Sequence, residues 1–444
     1  MSYANQSVAV LGAGESGEAA AVLLKEEGAM ITILDTAEEN KLRKKIDALR
    51  ARGIRVLAGL AAEHESLHGR YDLSVLSPGI DPAVPLVQNF IQRRIEMIGE
   101  LELAYEMCRC PIIGITGTNG KTTTTQLVEK MLNACGVKTL AAGNIGPAFS
   151  ARVRQSQDLD VMTLEVSSFQ LESIRRFHCG TAVWLGFAPD HLDRYHSLEE
   201  YYAAKIRIFE NQTAEDWAVV NFRDKLPELK ARKLTFSAYV AGADFELRDG
   251  VIHFRGQRVL AMADTRLRGV HNAENLMAAL GVGYLRGLSF AGMAAPLAEY
   301  QPLPHRCELV RTFAGVDYVN DSKGTNPDSV EKALLSELRP VVLIAGGKDK
   351  GFEFDMLTEL VAQKCRAVVV LGEIADRLEA LWTPRVKVVN AAWSLEKAVQ
   401  LARALAQPGD VVLLSPGTSS FDMFKNYADR GNQFRGLVHA LTAQ

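Results

Sequence analysis

An α/β architecture in three domains is expected of this chain on three grounds. Two glycine-rich turns, Gly12-Ala13-Gly14-Glu15-Ser16-Gly17 and Gly117-Thr118-Asn119-Gly120, each join an apolar strand pattern to an amphipathic helix pattern. A third run of strand and helix patterns follows the prolines Pro302 and Pro304, which disfavour helix and read as a linker. With 444 residues and 48% hydrophobic content, the chain exceeds one ordinary core and can bury several. The expected division is 1–105, 106–301 and 302–444.

In the first domain an apolar strand over 8–11 enters a turn in which Gly12, Gly14 and Gly17 match a dinucleotide pattern. A helix follows, then a strand over 31–34 ending in Asp35, near the offset of a ribose-binding carboxylate. The domain is therefore Rossmann-like. Its turn would cradle any diphosphate and its acid would greet any ribose, so NAD, FAD and a UDP-linked ligand all fit. A further strand over 73–76 leads into Ser77-Pro78-Gly79-Ile80, a turn expected to expose backbone N–H groups.

The central domain opens on Ile112, Ile113 and Ile115, the glycine turn, and a helix beginning at Lys121, Thr122 and Thr123. Such a loop aims unpaired N–H groups one way at a helix N-terminus, while lysine supplies a point charge for β/γ-phosphates and Thr122 a hydroxyl for Mg²⁺. Ile115 occupies the place of the usual first glycine, so the loop is a variant phosphate loop; a structural glycine turn is the alternative. A mostly parallel, P-loop ATPase-like sheet is expected, because strands over 161–166 and 182–185 alternate with helices.

Polar signals gather in this domain. Gly143-Asn144-Ile145-Gly146 precedes an apolar strand carrying Glu165, after which Ser167 and Ser168 start a helix. A carboxylate in such a strand must be paired with an arginine or bound to metal. A Pro-Asp turn presents His191 and Asp193 before a helix starting near Ser197 and carrying Lys205. Alone these are surface or capping groups; converging on the phosphate loop they become functional candidates. Runs over 218–221, 233–236 and 251–254 read as later strands of the same domain. Asn272 and Asn275 share one helix face suited to a base edge, with helix capping by Asn272 as the other reading.

The third domain repeats the alternation, with strands over 318–320, 341–345, 367–371, 386–389 and 411–414, and is again Rossmann-like. Ligands of open α/β sheets gather beyond the carboxyl ends of strands, and that edge carries Asp321, Ser322, Lys323, Thr325, Lys348, Lys350, Ser415 and Ser420. Basic and hydroxyl groups on one rim suit a small anionic substrate. A net charge of −3 gives no general attraction for nucleic acid or anionic membrane. The amino terminus passes straight into a strand without signal-peptide character, and no apolar run reaches membrane-spanning length, so a cytoplasmic protein is expected. Six cysteines without CxxC or metal-ligand spacing read as free thiols.

A diphosphate-tolerant first domain, an ATP-type loop with carboxylate, histidine and lysine, and a cationic third domain together point to joining two substrates at the expense of ATP. A carboxylate attacking the γ-phosphate would give an acyl phosphate, which an amine would displace.

The ordered motifs GTNGKTT at Gly117, EVSSFQLE around Glu165, DHLDRY around His191, YYAAK ending at Lys205, HNAEN at Asn272, HR at Arg306, NDSKGTN at Asp321 and SPGTSSFDMFKNYADRG resemble the Mur ligases along the whole chain. Within that family they look most like the branch that adds D-glutamate to UDP-N-acetylmuramoyl-L-alanine. The resemblance implies peptidoglycan precursor synthesis, and through it cell-wall biogenesis, cell shape and division. It also implies a monomer of three α/β domains closing around ATP and both substrates, excluding water.

By the same resemblance, Gly117, Thr118, Asn119, Gly120, Lys121, Thr122 and Thr123 would cradle ATP, with Lys121 on the phosphates. Thr122 and Glu165 would hold one magnesium and His191 a second, to which Lys205 would contribute as a CO₂-derived carbamate. Asn272, Asn275, Arg306 and Asp321 would hold adenine and ribose, with Lys323 near the phosphates. Glu15, Ser16, Asp35, Thr36, Ser77, Pro78 and Gly79 would lie near the uridine diphosphate, and Asn144 and Ser167 along the sugar path. Thr325, Lys350, Ser420 and Tyr427 would receive D-glutamate. Family members can carry Phe at Tyr427 and an acidic residue at Lys348. Rival readings are another ligase of this architecture, such as folylpolyglutamate synthase; a dehydrogenase, which leaves the phosphate loop unexplained; and a nucleotide-gated binding protein.

Overall fold

Gly17 shows why the first turn must be glycine-rich: a Cβ there would stand 1.9 Å from Gly12 O and 2.6 Å from Ser77 Oγ. Without one, the helix Glu15–Glu26 sits directly against the strand Ser7–Leu11. The computed structural model describes residues 3–191 and 194–442; the predicted candidate Asp193 lies outside them.

The first sheet runs Arg55–Ala58, Met30–Asp35, Ser7–Leu11, Leu73–Leu76, Met97–Gly99, all parallel. Alternation fills both of its faces: Val8 and Val10 join one apolar cluster, Ala9 and Leu11 another. The expected boundary at residue 105 falls inside the helix Glu100–Met107. Glu102 of that helix accepts the N–H groups of Arg175, Arg176 and Phe177, and Glu100 that of Ser150, which ties the helix to the central domain.

The central sheet has nine strands in the order Thr139–Gly143, Val161–Glu165, Ile112–Thr116, Thr181–Trp184, Trp217–Asn221, Arg232–Ser237, Phe245–Arg248, Val251–Phe254, Gln257–Ala261. The first seven are parallel, as the strand and helix alternation implies, and the last two turn back antiparallel. Two tight turns do this, Asp249-Gly250 and Arg255-Gly256, with φ of 47° and 74°, then 47° and 84°. Ile112–Thr116 lies third in this sheet, and its Ile113 and Ile115 pack with Leu127 and Met131 of the helix Lys121–Ala134. Against these lies the helix Val270–Leu285, buried at every position from 273 to 283. From Leu276 to Gly283 the helix is apolar on every face, as a core helix must be, and its burial fixes the polar residues of its first turns beside the phosphate loop.

The third sheet runs Glu308–Phe313, Val316–Asn320, Val411–Leu414, Val341–Gly346, Cys365–Leu371, Lys387–Asn390. Only its first pair is antiparallel. Sequence reasoning missed the edge strand Glu308–Phe313, none of whose residues is fully buried. An edge strand with no buried face gives no alternation to read. Among the described residues no helix is long and apolar enough to cross a membrane, and all six cysteines are free.

Gly17→Ala should destabilise the first domain by ~1–3 kcal/mol through overpacking, whereas Gly14→Ala, with no atom within 4 Å of its Cβ position, should be nearly silent. Urea unfolding followed by tryptophan-independent circular dichroism checks this; equal midpoints for the two variants would contradict it.

Candidate active site

The second glycine turn is held by contacts that forbid side chains. Gly117 and Gly120 have φ of 150° and 83°, and a Cβ on Gly120 would lie 2.3 Å from Asn275 Oδ1. Gly120 caps the helix Lys121–Ala134 without any side-chain hydrogen bond, so its first N–H groups remain available to an anion. Lys121 folds back on its own loop, with Nζ donating to Gly117 O at 2.8 Å and Thr118 O at 2.9 Å. Burial lowers its ammonium from the usual lysine range, against the opposing pull of Glu165 and Asp190. A cation held by carbonyls alone is poised for a phosphate.

Glu165, at the end of the central strand Val161–Glu165, is 2% exposed. Its Oε1 accepts from Asn144 Nδ2 at 2.7 Å, while Oε2 is buried without a hydrogen-bond partner. Among the described residues no cation lies within ion-pair distance of it, so the arginine-paired reading is not what the fold contains. An unpartnered carboxylate oxygen in this place could take a cation. Lys205 is 1% exposed on the helix Leu198–Ile206, and its Nζ donates to Gly117 O at 3.1 Å, 4.7 Å from the Tyr201 ring centre. Burial, reinforced by Lys121, holds its amine well below the normal range. Burial likewise brings His191 down to about 4, against the pull of Asp190, so its imidazole is neutral and available as a ligand.

These groups meet in a cleft of about 260 Å³. Thr118, Asn119, Gly120, Lys121, Thr122, Thr123, Asn144, Glu165 and His191 line it from the central domain, with Asn272 and Asn275 from the buried helix. Arg306, Asp321, Lys323 and Thr325 close it from the third domain. Asn275 Nδ2 donates to Asn272 Oδ1 at 3.0 Å and its Oδ1 accepts from Thr124 at 3.2 Å, so the pair shares a face; Gly269, not Asn272, is the helix cap. Gly117 and Lys205 lie just beneath the lining.

Other predicted residues stand apart from this cleft. Asp35 is spent on the first-domain loop, accepting from Ala13 N at 2.7 Å and Ala37 N at 2.8 Å. Ser77 is buried with its hydroxyl toward Gly12 O, whereas Glu15, Thr36 and Gly79 are exposed and Ser16 and Pro78 half-buried. Ser167 caps a short helix in a reciprocal box with Gln170. Ser420 is 2% exposed, and the ring of Tyr427 lies 3.9 Å beneath Lys323 Nζ. On the expected cationic rim, Ser322 and Ser415 are fully buried, Ser415 donating to Asp321 at 2.8 Å and Ser322 to Tyr427 O at 2.8 Å. They are scaffold.

Three cross-domain contacts escaped sequence reasoning. Asp190, 8% exposed, accepts from Lys350 Nζ at 3.1 Å and Asn326 Nδ2 at 3.0 Å. Asn119 donates to Asp328 and accepts from Ser329 at 3.1 Å, joining the phosphate loop to the helix Pro327–Ser336. His271 lines the cleft beside Ser336, 3.2 Å from its hydroxyl. Only their adjacency to named motif residues could have flagged them.

Family models match three stretches: Mur ligase MurD-like, N-terminal domain over 6–99; Mur ligase middle domain over 115–283; and Mur ligase, glutamate ligase domain over 305–417. The UDP-N-acetylmuramoylalanine--D-glutamate ligase of Geobacter metallireducens is 40% identical, covering 99% of each chain. That of Koribacter versatilis is also 40% identical, covering 100% of this chain and 99% of its own. In fold, the chain resembles a pseudomurein peptide ligase type C from Methanothermus fervidus (TM-score 0.62, 16% identity, 99% and 100% covered). It equally resembles the UDP-N-acetylmuramate-alanine ligase of Thermotoga maritima (TM-score 0.62, 17% identity, 98% and 100% covered).

The site also shapes stability against pH. Burial holds His191 and His271 at about 4, below the usual 6.5. The unfolded chain takes up those protons first, so both make stability fall as pH drops from 6.5 to 4. Asp321 opposes them: burial raises its carboxyl to about 6, giving stability below pH 3.8 that is lost as pH climbs through 6. Melting temperatures across that range should rise with pH, more steeply in Asp321→Asn and less steeply in His271→Gln. Slopes unchanged in both variants would refute the assignment.

Proposed function

The chain belongs to the Mur ligase family, and from that membership we propose that its cleft takes ATP and that the three domains join D-glutamate to UDP-N-acetylmuramoyl-L-alanine. The enzyme is an ATP-dependent D-glutamate-adding ligase of peptidoglycan precursor synthesis. One observation carries the chemistry: beside a single glycine loop the fold buries a carboxylate with an unpartnered oxygen and a lysine bonded to a loop carbonyl. A dehydrogenase needs neither.

The terminal carboxylate of the UDP-linked substrate attacks the γ-phosphate and expels ADP, and the amine of D-glutamate, losing a proton, displaces phosphate from the resulting acyl phosphate. Lys121, released from Gly117 O and Thr118 O, would follow the transferring phosphoryl, and the uncapped N–H groups after Gly120 would hold the other phosphates. Asn272, Asn275, Arg306 and Asp321 would take adenine and ribose, and Lys323 the phosphates. Glu15, Ser16, Thr36 and the Ser77-Pro78-Gly79 turn would meet the uridine diphosphate, with Asp35 bracing the loop. Thr325, Lys350, Ser420 and Tyr427 would receive D-glutamate, whose carboxylate would compete with Asp190 for Lys350.

The donor set fits magnesium. The shell would draw on ATP oxygens, the Thr122 hydroxyl and a modified lysine beside the protein's own carboxylate and imidazole. Thr122 with Glu165, and His191 with Lys205 as carbamate, would hold two ions that neutralise phosphoryl charge. Lys205 suits the modification because burial disfavours the charged form of its amine, and the neutral amine is the form that adds CO₂. On this reading the enzyme works as a monomer in the cytoplasm, where ATP and UDP-linked sugars are supplied.

Two measurements test this. Phosphate release from ATP with UDP-N-acetylmuramoyl-L-alanine and Mg²⁺ should require D-glutamate and fail with L-glutamate or glycine; release without any amino acid would mean an ATPase or switch. Lys205→Ala should lower turnover by roughly 100-fold, and added acetate or bicarbonate should restore part of it; full activity without additive would exclude a carbamate.

A further inference from the structure

We infer that Arg194 is a positioning residue that fixes the first domain's Ser77-Pro78-Gly79 turn against the His191 loop, setting where the UDP-linked substrate's carboxylate meets ATP; this rests on the function proposed above. Arg194 does not line the cleft. Its backbone N–H donates to His191 O at 3.0 Å, and His191 itself has a φ of 55°. Its side chain, 14% exposed, makes three further contacts. Nη2 donates to Glu172 Oε2 at 2.9 Å, and the guanidinium carbon lies 4.2 Å from the centre of the Phe169 ring. That ring meets the His191 imidazole edge-on, 4.8 Å between centres. Nη1 crosses to the first domain and donates to Pro78 O at 3.4 Å.

Arg194 therefore touches the histidine's backbone, the histidine's aromatic wall and the turn proposed to meet the uridine diphosphate. Glu172 is itself fixed by Tyr195, which donates to its other oxygen, so the guanidinium rests on a rigid base. A planar fork with five donors can serve Glu172 and Pro78 together while stacking on Phe169; an ammonium cannot hold all three in one geometry. Attack on phosphorus needs the reacting atoms ~3–3.5 Å apart, and a 1 Å misplacement costs on the order of 100-fold in rate. The substrate is carried by one domain and the phosphate loop by another, so a contact that sets the distance between them acts on turnover rather than on affinity.

The test compares full-length wild type with Arg194→Ala and Arg194→Lys. Affinity for UDP-N-acetylmuramoyl-L-alanine is measured calorimetrically without ATP or metal, and kcat and the KM for ATP with all substrates. Expected are a kcat about 100-fold lower in the alanine variant and about 10-fold lower in the lysine variant. Calorimetric affinity and the KM for ATP should stay within about threefold of wild type. A loss of affinity of tenfold or more would make Arg194 a ligand contact and overturn the positioning role. So would a kcat deficit that disappears at 10 °C together with a lowered melting temperature, the mark of a merely structural residue. Wild type lacking D-glutamate-dependent turnover would overturn the functional reading and this role with it, whereas an active wild type beside an unimpaired alanine variant overturns the role alone.

Discussion

Two opposite charges are buried beside one glycine loop without pairing with each other. Glu165 leaves an oxygen unpartnered and Lys205 bonds to Gly117 O, each in a setting where an uncompensated charge is costly. Burial draws the lysine's amine well below its normal range, while Asn144 meets only one of the carboxylate's two oxygens. The unpartnered oxygen of Glu165 leaves room for a cation to complete this arrangement. The loop between them, with glycines at positions where Leu185 and Asn275 leave no room for a Cβ, turns the uncapped start of the helix Lys121–Ala134 toward the same place.

The surrounding architecture places that loop. Ile113 and Ile115 lock the strand Ile112–Thr116 into the core shared with the helices Lys121–Ala134 and Val270–Leu285. The second helix is apolar on every face from Leu276 to Gly283, so its burial fixes the first turn, where Asn272 and Asn275 face the loop through Thr124. The third domain meets the same loop through Asn119, Asp328 and Ser329, and the His191 turn through Asp190, Asn326 and Lys350. The first domain approaches from the other side, where Arg194 reaches Pro78. The phosphate loop, the His191 region and the first and third domains are thus connected through polar contacts, each sensitive to domain placement.

Some residues named in advance serve the scaffold. Asp35 ties Ala13 to Ala37, Ser167 caps a helix, and Ser415 braces Asp321. A backbone amide and a ligand hydroxyl ask the same of a carboxylate or a serine, so residue type cannot tell them apart; only the partners within reach can.

The α/β class, the three domains, the parallel order of the central strands and the phosphate loop were legible in the chain because they rest on local patterns. Apolar runs, glycines at strand-to-helix switches and an acid inside an apolar strand each announce themselves within a few residues. The edge strand Glu308–Phe313 was not, since it buries no face, nor was the antiparallel return of the central sheet, set by Asp249-Gly250 and Arg255-Gly256. Asp190, Asn326, Asp328, His271 and Arg194 look like ordinary surface polar residues until the domains are packed. Their partners lie far away along the chain, as Asp190 and Lys350 do, 160 positions apart. Tertiary packing alone brings such groups together, because a hydrogen bond depends on distance in space and composition carries no record of it.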